Sequence, residues 1–129
     1  MKIDCAARAR ALIGTRFRPQ GRIAVQGLDC IGLAAAACAV PADAIPADYR
    51  MAGTGHGARL ADGLAARFRL VRERQSGDLL LMQPGADCWH LGVWTGDGIV
   101  HADAGLRAVV ETPGEPAWTV VAIYRLKRG

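Results

Sequence analysis

Residues 31–40 of the chain, Ile-Gly-Leu-Ala-Ala-Ala-Ala-Cys-Ala-Val, are apolar on every side of a helix and stop at Pro41. A helix without a polar face must be buried all round, so the remaining chain has to wrap around it. The run is about half the ~20 apolar residues that cross a bilayer, and the chain is expected not to insert into a membrane. Asp29 stands immediately before it as a natural N-cap, which places Cys30 in the first turn.

The flanking segments supply that wrapping. At 129 residues the chain is long enough for one real core, and a single domain over 1–129 is expected. Residues 4–13 read as a short helix capped by Asp4 and closed by Gly14, and residues 15–28, with Pro19, Gly21 and Gly27, read as loop. Leu60, Leu64 and Phe68 recur at helical spacing over residues 57–68, while His56 reads as an exposed loop residue. After Ser76-Gly77 the period shortens to strands at 78–82, 89–95, 99–103, 108–111 and 118–126, separated by Gly and Pro. Helices first and antiparallel strands afterwards give an α+β fold, with the helices packed on a sheet of about five strands.

Charge and cysteine usage narrow the class without deciding it. The net charge of +4 comes from arginines spread along the chain, thickest at 16–22 and 67–74, without the interleaved aromatics that stack on bases, so nucleic acid is not an expected partner. An anionic polymer suits the same charge. The first twelve residues alternate charged and apolar side chains with no continuous apolar stretch, so no secretory signal is read and synthesis in the cytoplasm is expected. Cys5, Cys30, Cys38 and Cys88 are irregularly spaced and are expected to be free thiols.

One of those thiols sits where a nucleophile would. A helix N-terminus favours thiolate through its dipole and its unpaired amides, and the same amides can donate to an oxyanion. Taken singly, Cys30 could equally be a small buried hydrophobe. His90 changes that balance. It opens the strand His90-Leu91-Gly92-Val93-Trp94, in which His90, Gly92 and Trp94 share a face, and Gly92 is expected to keep that face open beside the imidazole.

The strand turns at Gly96-Asp97 and returns through Ile99-Val100-His101-Ala102-Asp103. If the loop has two residues, Gly92 faces His101 and the two histidines become diagonal neighbours, so His101 can orient His90. A three-residue loop would send His101 to the other face. Cys88, His90, His101 and Asp103 offer sulfur, nitrogen and oxygen ligands, but no paired CxxC or HExxH spacing supports a metal site, and neither a metal nor another cofactor is expected.

These motifs resemble the NlpC family of papain-like cell-wall cysteine peptidases. The segment Gly27-Leu28-Asp29-Cys30-Ile31-Gly32-Leu33 is similar to the family's nucleophile motif, His90-Leu91-Gly92-Val93 to its histidine strand, and His101 falls at its third polar position. The stretch from Gly14 to Gly21 most resembles the branch found in phage tails, prophages and gene transfer agents. Three departures lie on the substrate side: Phe17 for Tyr, Pro19-Gln20-Gly21 for Trp-Gly-Gly, and Ile31 for Ser. In wall-recycling relatives that Tyr and Ser, with the Asp before the nucleophile, bind the free amine of the stem peptide.

The resemblance implies a papain-like fold and cleavage of peptidoglycan stem peptides at the D-γ-glutamyl bond to diaminopimelate or lysine. Cys30 would be the nucleophile, His90 the base and then the acid, and His101 the orienting group. Gln20 would be an oxyanion donor, with Asp29 and Ile31 at the substrate. The implied setting is a phage-like particle, with tail proteins as partners and action in the periplasm or at the wall. An amidase cutting between muramic acid and L-Ala, and a catalytically silent wall-docking protein, are the rival readings.

Overall fold

The computed structural model describes residues 3–41, 63–86 and 88–127. The first helix, α1 (Cys5–Ala11), begins where Asp4 accepts the Ala7 N–H at 3.0 Å. Two short antiparallel strands, β1 (Arg22–Ile23) and β2 (Gly27–Leu28), follow within the stretch expected to be loop. The cause is steric: Gly27 has φ 115°, and a Cβ on Gly21 would strike the Gly27 carbonyl, so two glycines let the backbones meet.

The second helix, α2 (Cys30–Ala37), is capped by Asp29 as expected, but it ends short of Val40. Ala39 turns left-handed at φ 57°, and the Val40 N–H reaches back to the Ala35 carbonyl at 2.8 Å. Arg8 on α1 covers the exposed end of α2, donating to the carbonyls of Ala36 and Ala37 at 2.9 and 3.0 Å. A guanidinium there complements the helix dipole and fixes the two helices against each other.

Among the described residues six antiparallel strands follow: β3 (Phe68–Val71), β4 (Leu79–Gly85), β5 (Cys88–Trp94), β6 (Gly98–Asp103), β7 (Ala108–Pro113) and β8 (Thr119–Leu126). Their order in the sheet is β3-β8-β4-β5-β6-β7. The α+β class and the last five strands agree with the sequence reading. The additional strand, β3, corrects it. Residues 57–62 of the expected amphipathic helix, and His56, lie outside the described residues. Residues 63–65 are helical, and Phe68 opens a strand paired with Leu126 rather than closing a helix. Phe68 is buried in either reading, so the spacing found a core residue but not its backbone.

Both helices lie over one face of the sheet, whose core contains Leu79, Leu81, Leu91, Val93, Val100 and Val109. The other face holds a smaller cluster of Leu80, Met82 and Ile99, flanked by Trp94, Val120 and Ile123. Met82 pairs with His90, so alternation puts His90 on this second side. The Gly96-Asp97 loop has two residues: Thr95 N–H donates to the Gly98 carbonyl at 2.9 Å, and Gly96 takes φ 95°. Gly92 therefore pairs with His101.

Candidate active site

The site starts with Asp29. Its Oδ1 accepts from the Gly32 N–H at 2.8 Å and from Arg22 Nη1 at 2.7 Å, and its Oδ2 accepts from the Gln20 N–H at 3.0 Å. One carboxylate thus caps α2, forms a buried ion pair and pins the loop before Cys30. The side chains of Arg22 and Asp29 are only 8% and 10% exposed. Gln20 sits at φ 58°, a left-handed conformation that costs a non-glycine residue about 1 kcal/mol and is retained where surrounding structure enforces it. Gly32 has to lack a side chain, because a Cβ there would run into the Gly21 carbonyl.

Cys30 opens α2 at the wall of a cleft of about 620 Å³. Phe17, Pro19, Pro84, Trp89 and Trp118 make most of that wall apolar, and His90 and His101 line it as well. The β5–β6 ladder pairs Trp94 with Ile99 and runs to Gly92 and His101. Leu91, next along β5, turns its N–H toward the Cys30 sulfur, as does Ile31 from the first turn of α2.

In the same cleft the histidines form a chain. His90 Nε2 lies 3.0 Å from His101 Nδ1, and His101 Nε2 lies 3.1 Å from Thr112 Oγ1. With Nε2 engaged by His101, Nδ1 is the ring nitrogen of His90 outside this pair. Trp118 stands perpendicular to both imidazoles, its centroid 5.1 Å from His90 and 5.8 Å from His101. These edge contacts fix the ring planes and cover the His–His bond.

Burial dominates the electrostatics. It pushes the Cys30 thiol up to about 12, against the Leu91 and Ile31 amides and Arg22 that favour thiolate, while Asp29 pushes the same way as burial. Burial, helped by the neighbouring His101, pushes His90 down to about 4, with Asp103 opposing. At neutral pH the thiol and the imidazole are therefore both uncharged in the resting fold.

The same burial sets a pH dependence of stability. Above pH 6.5 His90 is neutral both folded and unfolded. As pH falls from 6.5 toward 4 the unfolded chain takes up a proton that the fold refuses, so stability is lost across that window, on the order of 3 kcal/mol in full. Burial lowers His101 too, which adds a loss of the same sign. Urea midpoints measured between pH 4 and pH 7 should fall toward acid, and less steeply in His90→Gln.

The structure brings Cys30, His90, His101, Gln20 and Asp29 to one cleft. Ile31 is placed differently: its side chain is buried in the core, because the first turn of α2 rotates it onto the sheet, and only its backbone N–H faces the site. Gly92 is also a correction. The space of its missing side chain is filled by Ile99, whose Cδ1 would lie 2.5 Å from a Cβ, so Gly92 admits a neighbour rather than keeping the face open. Cys88, read as a residue preceding a strand, opens β5 and lines the cleft as a second thiol without a helix start behind it. Thr112, Trp118 and Arg22 were not foreseen. Thr112 was within reach, since extending β7 by one residue past Glu111 places it diagonally across from His101.

No protein-family model matches the chain, and no curated protein does. Solved structures do. NlpC1 from Trichomonas vaginalis superposes over 95% of the chain with a TM-score of 0.68 at 20% identity. An NlpC/P60 family protein from Bacillus cereus gives 0.65 over 95% at 21% identity, and the peptidoglycan hydrolase RipB from Mycobacterium tuberculosis gives 0.62 over 97% at 22%. The chain has the NlpC/P60 fold. It spans 42% of the Trichomonas chain, 39% of the Bacillus chain and 64% of the mycobacterial one. Within the NlpC/P60 fold the helix bearing Cys30 and the hairpin bearing both histidines are the elements that meet at the cleft.

Proposed function

We propose that the protein is a cysteine endopeptidase that cleaves peptidoglycan stem peptides. The observation that carries this reading is the pairing of a helix-start thiol with a His90–His101 couple in one cleft of an NlpC/P60 fold. RipB, of the same fold, is named a peptidoglycan hydrolase.

In the proposed reaction, His90 Nδ1 takes the Cys30 proton as sulfur attacks the scissile carbonyl. The oxyanion is met by the first-turn amide of Cys30, which has no intrahelical acceptor, and by the Gln20 carboxamide. The protonated His90 then gives its proton to the leaving amine. Water, deprotonated by His90, hydrolyses the thioester and restores the thiol.

The scissile bond is proposed to be D-γ-glutamyl to diaminopimelate or lysine, and the setting to be wall opening by a phage-like or gene transfer agent particle, with tail proteins as partners. Both oxygens of Asp29 are taken by Gly32, Gln20 and Arg22, so this carboxylate is not offered to a substrate ammonium. An apolar wall next to a compensated carboxylate suits a stem peptide whose amine is still acylated by the glycan.

Purified peptidoglycan and free tetrapeptide, each incubated with the protein, distinguish the outcomes once the glycan is cut with a muramidase and weighed. Disaccharide-dipeptide formed faster from peptidoglycan than dipeptide from free tetrapeptide is the expected result. Disaccharide stripped of peptide would make the protein an amidase, and unchanged masses would overturn the hydrolase reading.

A further inference from the structure

Two proton arrangements satisfy the His90–His101 bond at rest, and only one leaves a lone pair on His90 Nδ1. Once His90 has taken the Cys30 proton the ambiguity is gone. An imidazolium donates from both nitrogens, so His90 Nε2–H must be the donor and His101 Nδ1 the acceptor. His101 is neutral, so its proton is then on Nε2, which lies 3.1 Å from Thr112 Oγ1. His101 is only 4% exposed, and water has little access to replace that partner.

We propose that Thr112 is a positioning residue: its hydroxyl accepts the His101 Nε2–H and so holds His101 in the tautomer that can receive a hydrogen bond from protonated His90. The assignment rests on the proposed hydrolase reading for its consequence in turnover, but not for its geometry. Thr112 stands on β7 behind His101 and does not line the cleft. Its contribution therefore belongs to the charged state of His90 and not to substrate binding. Valine at the position has nearly the same shape and no acceptor. It leaves the His101 Nε2–H without its partner and favours the opposite tautomer, in which His101 donates to His90 and the His90 proton blocks Nδ1.

Thr112→Val is expected to lower kcat about tenfold with KM unchanged, the worth of one hydrogen bond made in the transition state, and Thr112→Ser should restore it. The thermal midpoint should fall by a few degrees, the scale of one net hydrogen bond to a buried ring nitrogen, and recover in Thr112→Ser. Long-range proton–nitrogen NMR of the histidine rings needs no turnover. It should show His101 protonated on Nε2 in the wild type and a growing population protonated on Nδ1 in Thr112→Val. A wild-type His101 protonated on Nδ1, or a valine variant with unchanged kcat, would overturn the proposal. A wild type inactive on peptidoglycan but with the expected NMR pattern would overturn the hydrolase reading and leave the role of Thr112 standing.

Discussion

Cys30→Ala lowers hydrolysis of peptidoglycan by more than about 10⁴-fold and leaves the protein folded: that is the expected result. Without the sulfur there is no covalent intermediate, and only binding and oxyanion contacts remain to accelerate attack by water. The thiol is buried, so its removal leaves a small void, worth about 1 kcal/mol and within what a domain tolerates. Cys88 cannot take over. It lines the same cleft but opens a strand, where no row of first-turn amides meets a developing charge. Thermal denaturation of the variant beside its product yield separates lost chemistry from lost fold.

The largest loss of stability is expected at Asp29. Asp29→Ala removes the cap of α2, worth about 1 kcal/mol, and takes the carboxylate away from a guanidinium only 8% exposed. Deleting one partner of a buried ion pair typically costs about 3–5 kcal/mol, a large part of the stability of a small domain. The Gln20 N–H also loses its acceptor, and the left-handed turn at Gln20 loses the contact that enforces it. Asp29→Asn should fall between, since an amide oxygen can still cap Gly32 but cannot match the charge of Arg22. Urea denaturation gives the stabilities, and a wild-type midpoint for Asp29→Ala would contradict the central place given to this carboxylate.

The helix bearing Cys30 was legible because two local signals coincide: an apolar run with no polar face, and Asp29 immediately before it. The histidine couple was legible through arithmetic. A two-residue turn at Gly96-Asp97 fixes which residues face each other, and alternation does the rest. What escaped depends on partners that only the pairing of strands brings together. Phe68 is at helical spacing from Leu64, yet β8 recruits it into the sheet, and nothing local announces that. Arg22 belongs to the arginine-bearing stretch 16–22, and only the β1–β2 pairing sets it against Asp29. Gly92 reads as an opening from its own strand and as a socket once Ile99 is in place. The Thr112 contact required a third strand in register.

The most direct test incubates purified peptidoglycan with wild-type protein and, in parallel, with folded Cys30→Ala, and weighs the muramidase-released products. The account predicts disaccharide-dipeptide from the wild type and none above background from the variant. The same product from both proteins, or none from either, would contradict the assignment of Cys30 as nucleophile of a stem-peptide hydrolase.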